Sequence, residues 1–299
     1  DAAAMGVAVE GSESTWPGTT NEAVLPAFDV FNRQQHYIDV FNKGKTPFEF
    51  TATASDPWII LSETNGTIGK DKSLWVGVDW SMAPKGAASG TVKLSGATND
   101  VVVEVKAFNP LEPARDSLHG FVEGEGFVSI EPEHFTKKTD AGENRWIKIQ
   151  DYGRTLSGMR ATQPVDAASA APGKDSPCLE YRMYLFSTGA VEVATLTSPT
   201  LNFVPGRGLR FAVSFDDETP QVVTLMPADY KAQNGNHDWE KIVGDNARHA
   251  RSIHTLAKPG YHTLKYWMVD PGVVLQKVVV DLGGVKPSYL GSPESFHRN

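Results

Sequence analysis

Residues 90–96, GTVKLSG, and 101–108, VVVEVKAF, alternate apolar and polar side chains with a period of two. In an extended strand successive side chains leave on opposite faces, so this pattern gives one face to a core and the other to water. The rule recurs along the chain. FEFTATAS (48–55) sets Phe48, Phe50, Ala52 and Ala54 on one face. LEYRMYLF (179–186), AVEVATL (190–196), LRFAVSF (209–215), QVVTLM (221–226), YHTLKYWMV (261–269) and VVLQKVVVDL (273–282) follow. Turn clusters separate them: FNKGK, SETNG, MAPKG, VPGRG, SFDDETP, AKPG and VDPG. Many short strands between turn signals predict an all-β protein of antiparallel sandwiches.

The segment FNPLEPARDSLHG (108–120) carries two prolines and mixed charge between strand-rich regions. It divides the chain into a first β-sandwich with an N-terminal extension (1–110), a linker (111–120) and a second β-sandwich (121–299). Two stretches have helical character: PAFDVFNRQQ (26–35), and DWEKIVGDNARHAR (238–251), which would carry Trp239, Ile242 and Val243 on one face. The latter lies in a long insertion, 227–252, of the kind that lines functional surfaces. Trp58, Trp75 and Trp80 are expected in the core or filling a sheet face. Asp216 and Asp217 read as a hairpin turn, and Asp270-Pro271-Gly272 as a type II turn.

Composition narrows the function. The chain has 299 residues, 40% hydrophobic and 21% charged, with a net charge of -8, which fits a globular protein with a sizeable core. It has no Lys/Arg-rich block for nucleic acid and no apolar run approaching the roughly 18 residues of a membrane span. Cys178 is the single cysteine, so an internal disulfide and a cysteine-rich zinc site are both excluded. The opening DAAAMG has neither the basic nor the apolar region of a leader, so an exported protein would already have lost one. G-x-S-x-G, H-E-x-x-H and P-loop patterns are missing. His249 and His254, at i and i+5, share no helical face and read as solvated loop residues.

The stretch VSIEPEHFT (128–136) concentrates Glu131, Glu133 and His134 within four positions. On a strand the two glutamates would share a face about 6–7 Å apart. Three readings are open: a glycosidase acid pair, a metal site, or a polar strand edge bulged by Pro132. RWIKIQDYGRT places Trp146 and Tyr152 near Lys148, Asp151 and Arg154. This group reads either as packing or as a sugar-stacking edge. Trp239 with Asn246 and Arg248 forms a second candidate, because a planar guanidinium can bond both oxygens of a carboxylate. Its alternative is a helix docked by Trp239 with its charges in water.

Ile130-Glu131-Pro132-Glu133-His134-Phe135 resembles the I-E-A-E-x-F opening strand of carbohydrate-binding-module sandwiches, of the jelly-roll or galactose-binding-like type. VVVDLGG, with Asp281, resembles their closing strand. The resemblance implies a structural calcium held by Glu131, Glu133 and Asp281, with His134 on the other face making a surface hydrogen bond. The first domain is similar to bacterial Ig-like modules through N-x-G, P-W-I and V-x-V-D-W.

More of the chain resembles the C-terminal region of glycoside hydrolase family 115, the xylan α-glucuronidases. The matching stretches are MGVAVEGS, YIDVFNKGKTPFEF, DPWIILSETNGTI, WVGVDWSMAPKG, IEPEHF, SPTLNF, GRGLRFAVSFDDETPQVV and KYWMVDPGVVLQKVVVDLGGVKPSYLGSPES. In that family the catalytic barrel lies upstream, so its catalytic residues map to no position here. The resemblance implies a non-catalytic accessory region that contacts glucuronoxylan-type carbohydrate, through Trp146, Tyr152, Arg154, Trp239 and Arg248, or docks on the parent catalytic domain. A structural or dimerisation module without sugar affinity is the alternative, and part of an active α-glucuronidase the third reading. The setting it implies is a bacterial protein, secreted or periplasmic, with plant cell-wall polysaccharide as partner and a homodimer as a further arrangement.

Overall fold

The computed structural model describes residues 1–298. The chain divides into two compact units, Asp1–Ser117 and a second beginning at Leu118. The division falls in the proline-bearing segment, just after a 3-10 turn at Arg115–Ser117.

The first unit is a sandwich of two sheets. One has the order Thr15–Trp16, Met5–Val9, His36–Asn42, Asp71–Val78, Ile59–Leu61. The other is built on the long hairpin Gly86–Gly96 with Asn99–Asn109, continued by Phe48–Ala54 and Asn65–Ile68. Two short strands, Ala23–Val24 and Phe28–Asp29, run parallel along the outer edge of that hairpin. The pairing of Val92 with Val103 and of Leu94 with Val101 puts the expected apolar faces inward, where they join Ile38, Val40, Leu74 and Val76 in one core. Trp58 is in that core, and Trp80 packs partly against it. Trp75 takes the sheet face instead: it lies exposed there beside Tyr37, ring centroids 5.7 Å apart.

The helix expected over 26–35 does not form. Asp29 takes the backbone instead: its Oδ1 accepts from the amides of Phe31 (3.0 Å) and Asn32 (2.6 Å), and its Oδ2 from the Gln34 side chain (2.6 Å). These local bonds compete with the helical ladder and close a turn, in which Arg33 is left-handed at φ 53°.

The second unit is also a two-sheet sandwich. The first sheet has the order Gln221–Met226, Leu209–Phe215, Gly260–Met268, Cys178–Leu185, Gly120–Val122, His297–Arg298, with Lys137–Thr139 alongside Cys178–Leu185. The second has the order Trp146–Ile149, Gly158–Ala161, Val274–Asp281, Gly189–Thr197, Arg248–Leu256, and Phe127–Ile130 also pairs with Val274–Asp281. Phe121, Tyr181, Phe211 and Tyr266 are the large buried side chains between the sheets. Tyr266 stacks on Phe211 at 5.0 Å.

A register shift opposite Leu196 and Thr197 interrupts the closing strand Val274–Asp281. Leu275 and Val278 both enter the core, and the two residues between them, Gln276 and Lys277, are displaced from the alternation. The insertion helix is shorter than expected, spanning His237–Asp245. Asn236 caps its start with bonds from the amides of Asp238 (3.1 Å) and Trp239 (3.4 Å). Asn246 ends it in a left-handed conformation, and Arg248–Leu256 is a strand. Ile242 is buried, while Val243 faces water. At the Asp270 turn Gly272 has φ 97°, as a type II turn requires, but Asp270 itself is buried against Arg210 (2.8 and 3.2 Å) and Ser169 (2.5 Å).

Cys178 sits in a central strand of the first sheet, and burial pushes its thiol up to about 12. The thiolate is the reactive form, so at pH 8 the native chain is expected to resist Ellman's reagent and to label fully in guanidinium. Rapid native labelling would show that the strand Cys178–Leu185 opens.

Candidate functional site

The opening strand of the second unit, Phe127–Ile130, runs antiparallel to the closing strand, with Phe127 opposite Asp281 and Ile130 opposite Val278. It stops there because Pro132 begins a 3-10 turn, Pro132–His134, pinned by the Tyr181 hydroxyl on the Pro132 carbonyl at 2.9 Å. Glu131 and Glu133 therefore do not share a strand face, and the spacing expected from alternation does not apply.

Each carboxylate of the expected calcium set goes to a different partner. Glu131 is buried and accepts from the Thr155 hydroxyl and from Lys277 Nζ at 3.3 Å; the side chains of Lys277 and Glu131 are 2% and 6% exposed. Glu133 turns to Lys148 Nζ at 3.4 Å. Partial burial works against its charge, but Ser157 and Lys148 outweigh it and hold the Glu133 carboxyl below its usual range. Asp281 accepts from the amides of Gly283 (2.7 Å), Gly284 (3.1 Å) and Val285 (3.3 Å), closing the loop after its own strand. Continuing the register puts Glu131 beside Lys277, four residues from Asp281, or about 13 Å along the strand. The adjacency of first and last strands is present, but it pairs Glu131 with an internal cation and leaves Asp281 at the far end.

The sugar-contact residues separate in the same way. Trp146 is 3% exposed and packs on Tyr266 at 5.8 Å, so it is a core residue and not a sugar platform. Its strand position, opposite Ala161, turns it inward. Arg248 is committed too: its guanidinium pairs with Asp238 at 3.2 Å and lies 4.8 Å over the Tyr230 ring. Trp239 is half-buried on the helix.

Tyr152 and Arg154 behave otherwise. Tyr152 is 49% exposed on the loop between two strands. Arg154 donates through Nε (3.1 Å) and Nη2 to the Tyr289 carbonyl and through Nη1 to the Asp245 carbonyl (3.0 Å). Its guanidinium carbon lies 5.1 Å over the Tyr289 ring, and Tyr289 is 85% exposed. The loop, the helix end and the C-terminal segment thus meet at one arginine that lies over the exposed Tyr289, and the exposed Tyr152 stands two residues before it on the same loop. Its three bonds use three of five N–H groups, leaving one on each terminal nitrogen. Sequence reasoning missed Tyr289; its signal was an aromatic residue among Gly, Pro and Ser in KPSYLGSPES.

A Ser–His–Glu chain also forms at Ser252, His254 and Glu218, with Ser252 Oγ 2.8 Å from His254 Nε2. Ser252 and His254 are buried, so the chain fastens the strand Arg248–Leu256 to the turn at Glu218.

The class defined by these features is a pair of β-sandwich modules, the second with an aromatic and arginine-bearing loop surface. The sequence profile of the glycosyl hydrolase family 115 C-terminal domain matches residues 120–294, which is nearly all of the second unit. The chain belongs to that family. Among solved structures it is similar to a family 115 4-O-methyl-α-glucuronidase, BtGH115A, with specificity for decorated arabinogalactans (18% identity, TM-score 0.34, covering 62% of this chain and 20% of that one). It is also similar to a Bacteroides ovatus GH5 xyloglucanase (19% identity, TM-score 0.26, 40% and 22%). A third is a Podospora anserina GH26-CBM35 β-(1,4)-mannanase (9% identity, TM-score 0.32, 55% and 29%). No curated protein sequence matches the chain. The chain spans about a fifth of the length of BtGH115A.

The buried Lys277–Glu131 pair yields a direct test. Lys277→Met leaves an uncompensated buried carboxylate and is expected to cost about 3–5 kcal/mol in urea unfolding. The double variant Glu131→Gln/Lys277→Met is expected to recover most of that loss. Equal losses in single and double variants would show that the two charges do not compensate each other.

Proposed function

We propose that this chain is a non-catalytic accessory region of a family 115 glycoside hydrolase. It contacts glucuronoxylan-type carbohydrate through Tyr152, Arg154 and Tyr289. The observation that carries this is the exposed Tyr289 ring under an arginine fixed by backbone carbonyls, with a second exposed tyrosine, Tyr152, on the arginine's own loop. A pyranose ring presents C–H groups to an aromatic face and hydroxyls to water, which suits a half-exposed tyrosine. A uronate side group adds a carboxylate, for which the remaining guanidinium N–H groups are donors. Partial burial and the Arg154 charge both lower the His249 imidazole, which favours its neutral form. A cell-wall ligand places this function outside the cytoplasm.

The described residues form two sandwiches and one nine-residue helix, with no strand-helix alternation of the length a barrel of about 250 residues needs. Purified chain is accordingly expected to release no uronic acid from glucuronoxylan; turnover that persists through purification to homogeneity would make it an enzyme.

Binding is read by native affinity electrophoresis in gels containing glucuronoxylan or unsubstituted xylan. Retardation is expected on glucuronoxylan, weaker on the unsubstituted polymer, and reduced by Tyr152→Ala and by Tyr289→Ala. Losing an anchoring aromatic costs about 1–3 kcal/mol, or roughly 5- to 150-fold in affinity. Migration unaffected by either polymer would reject the sugar reading and favour docking on the catalytic domain.

A further inference from the structure

We propose that His134, Glu294 and His297 form a binding site for a divalent transition-metal ion of the zinc type. The three residues come from the turn after the opening strand and from the C-terminal segment, and their donor atoms all lie within 4.8 Å of one another. Glu294 Oε1 is 2.8 Å from His134 Nδ1 and 4.0 Å from His297 Nδ1. Two donors bound tetrahedrally to one zinc ion are about 3.4 Å apart, so the observed separations bracket the required one. Rotation of the two stacked imidazoles completes the geometry, with the ion replacing the proton that His134 and Glu294 share.

The donor chemistry selects the metal. Calcium takes six to eight oxygens. Two imidazoles and one carboxylate suit zinc, and also copper or nickel. Three protein donors leave a fourth position for water or an external ligand.

The site is held by its backbone. The Glu131 amide donates to Glu294 Oε1 at 3.1 Å. The Ser295 amide donates to the Ser129 carbonyl at 2.9 Å, and Ser295 Oγ accepts from the Ser129 amide at 2.9 Å. The Val122 amide donates to the Phe296 carbonyl at 3.0 Å. His297 is walled by the Phe121 ring at 4.8 Å and stacks on His134 at 4.7 Å and 27°. All three ligands are half-buried, so an ion can reach them from water. A bound ion would tie together residues 160 positions apart and stabilise the folded second unit.

The test is calorimetric titration of zinc sulfate into chelator-treated chain at pH 7.5, with elemental analysis, melting curves and the visible spectrum of the cobalt form. One equivalent of zinc is expected, with a raised Tm and cobalt d–d absorption, neither displaced by millimolar calcium. His134→Ala, Glu294→Gln and His297→Ala are each expected to weaken binding about tenfold or more. His237→Ala, which removes an exposed helix histidine, is the control and should bind as the parent does. If His134→Ala fails to fold, His297→Gln, near the chain end, carries the test. Absence of stoichiometric zinc, or equal affinity in the parent and the His297 variants, would overturn the site.

Discussion

The antiparallel pairing of Phe127–Ile130 with Val274–Asp281 is the constraint on which the second unit depends. The closing strand is flanked on one edge by two strands in succession. Phe127–Ile130 covers it as far as Val278, and Gly158–Ala161 takes over at Leu275. Lys277 lies at the change-over, and its ammonium is buried. An unpaired charge there would cost several kcal/mol, so the first residue after the opening strand has to supply a carboxylate. Glu131 does so, and the Thr155 hydroxyl completes the contact. Once Glu131 is turned inward, Pro132 bends the chain, and Glu133 and His134 leave toward Lys148 and Glu294. One buried pair therefore fixes where four consecutive residues point.

Most strands were legible because a half-buried strand has a period that single residues reveal. LRFAVSF and QVVTLM occupy the same residues in sequence and structure, and the other alternating runs differ only at their ends. The reading failed where a local polar group or a distant partner took control. Asp29 captures amides that a helix would have used. In VVLQKVVVDL the bulge displaces two residues from the alternation, so Lys277 is buried where the pattern suggested water. The resemblance of IEPEHF to a calcium-bearing strand concerned residue types. The register decided which of those carboxylates could meet.

The site residues divide by the same logic. Trp146 begins a strand and inherits that strand's inward face, so its size serves the core. Tyr152, six residues on, lies past the strand end on a loop, where no sheet alternation assigns it a face. Arg154 was readable as a polar loop residue, but its partners were not, since Tyr289 is 135 positions away. Tyr289 and Glu294 lie in a segment without periodicity, and nothing in their local sequence indicates what they touch.

That segment does more than end the domain. From Tyr289 to His297 it binds in turn to Arg154, Ser129, Glu131, His134 and Val122. Each such bond contributes only about 0.5–1.5 kcal/mol, and each joins residues far apart in sequence. Their effect is cumulative, because ordering the segment for the first contact lowers the entropic cost of the next. Tyr289 is therefore presented at the surface by backbone already fixed through Arg154. A ligand that stacks on it loses less affinity to ordering than it would on a free loop. The buried charge pair, the histidine cluster and the tyrosine surface are thus connected through the C-terminal segment. A change that loosens the C-terminal segment should weaken the surface even when it leaves the sandwich core intact.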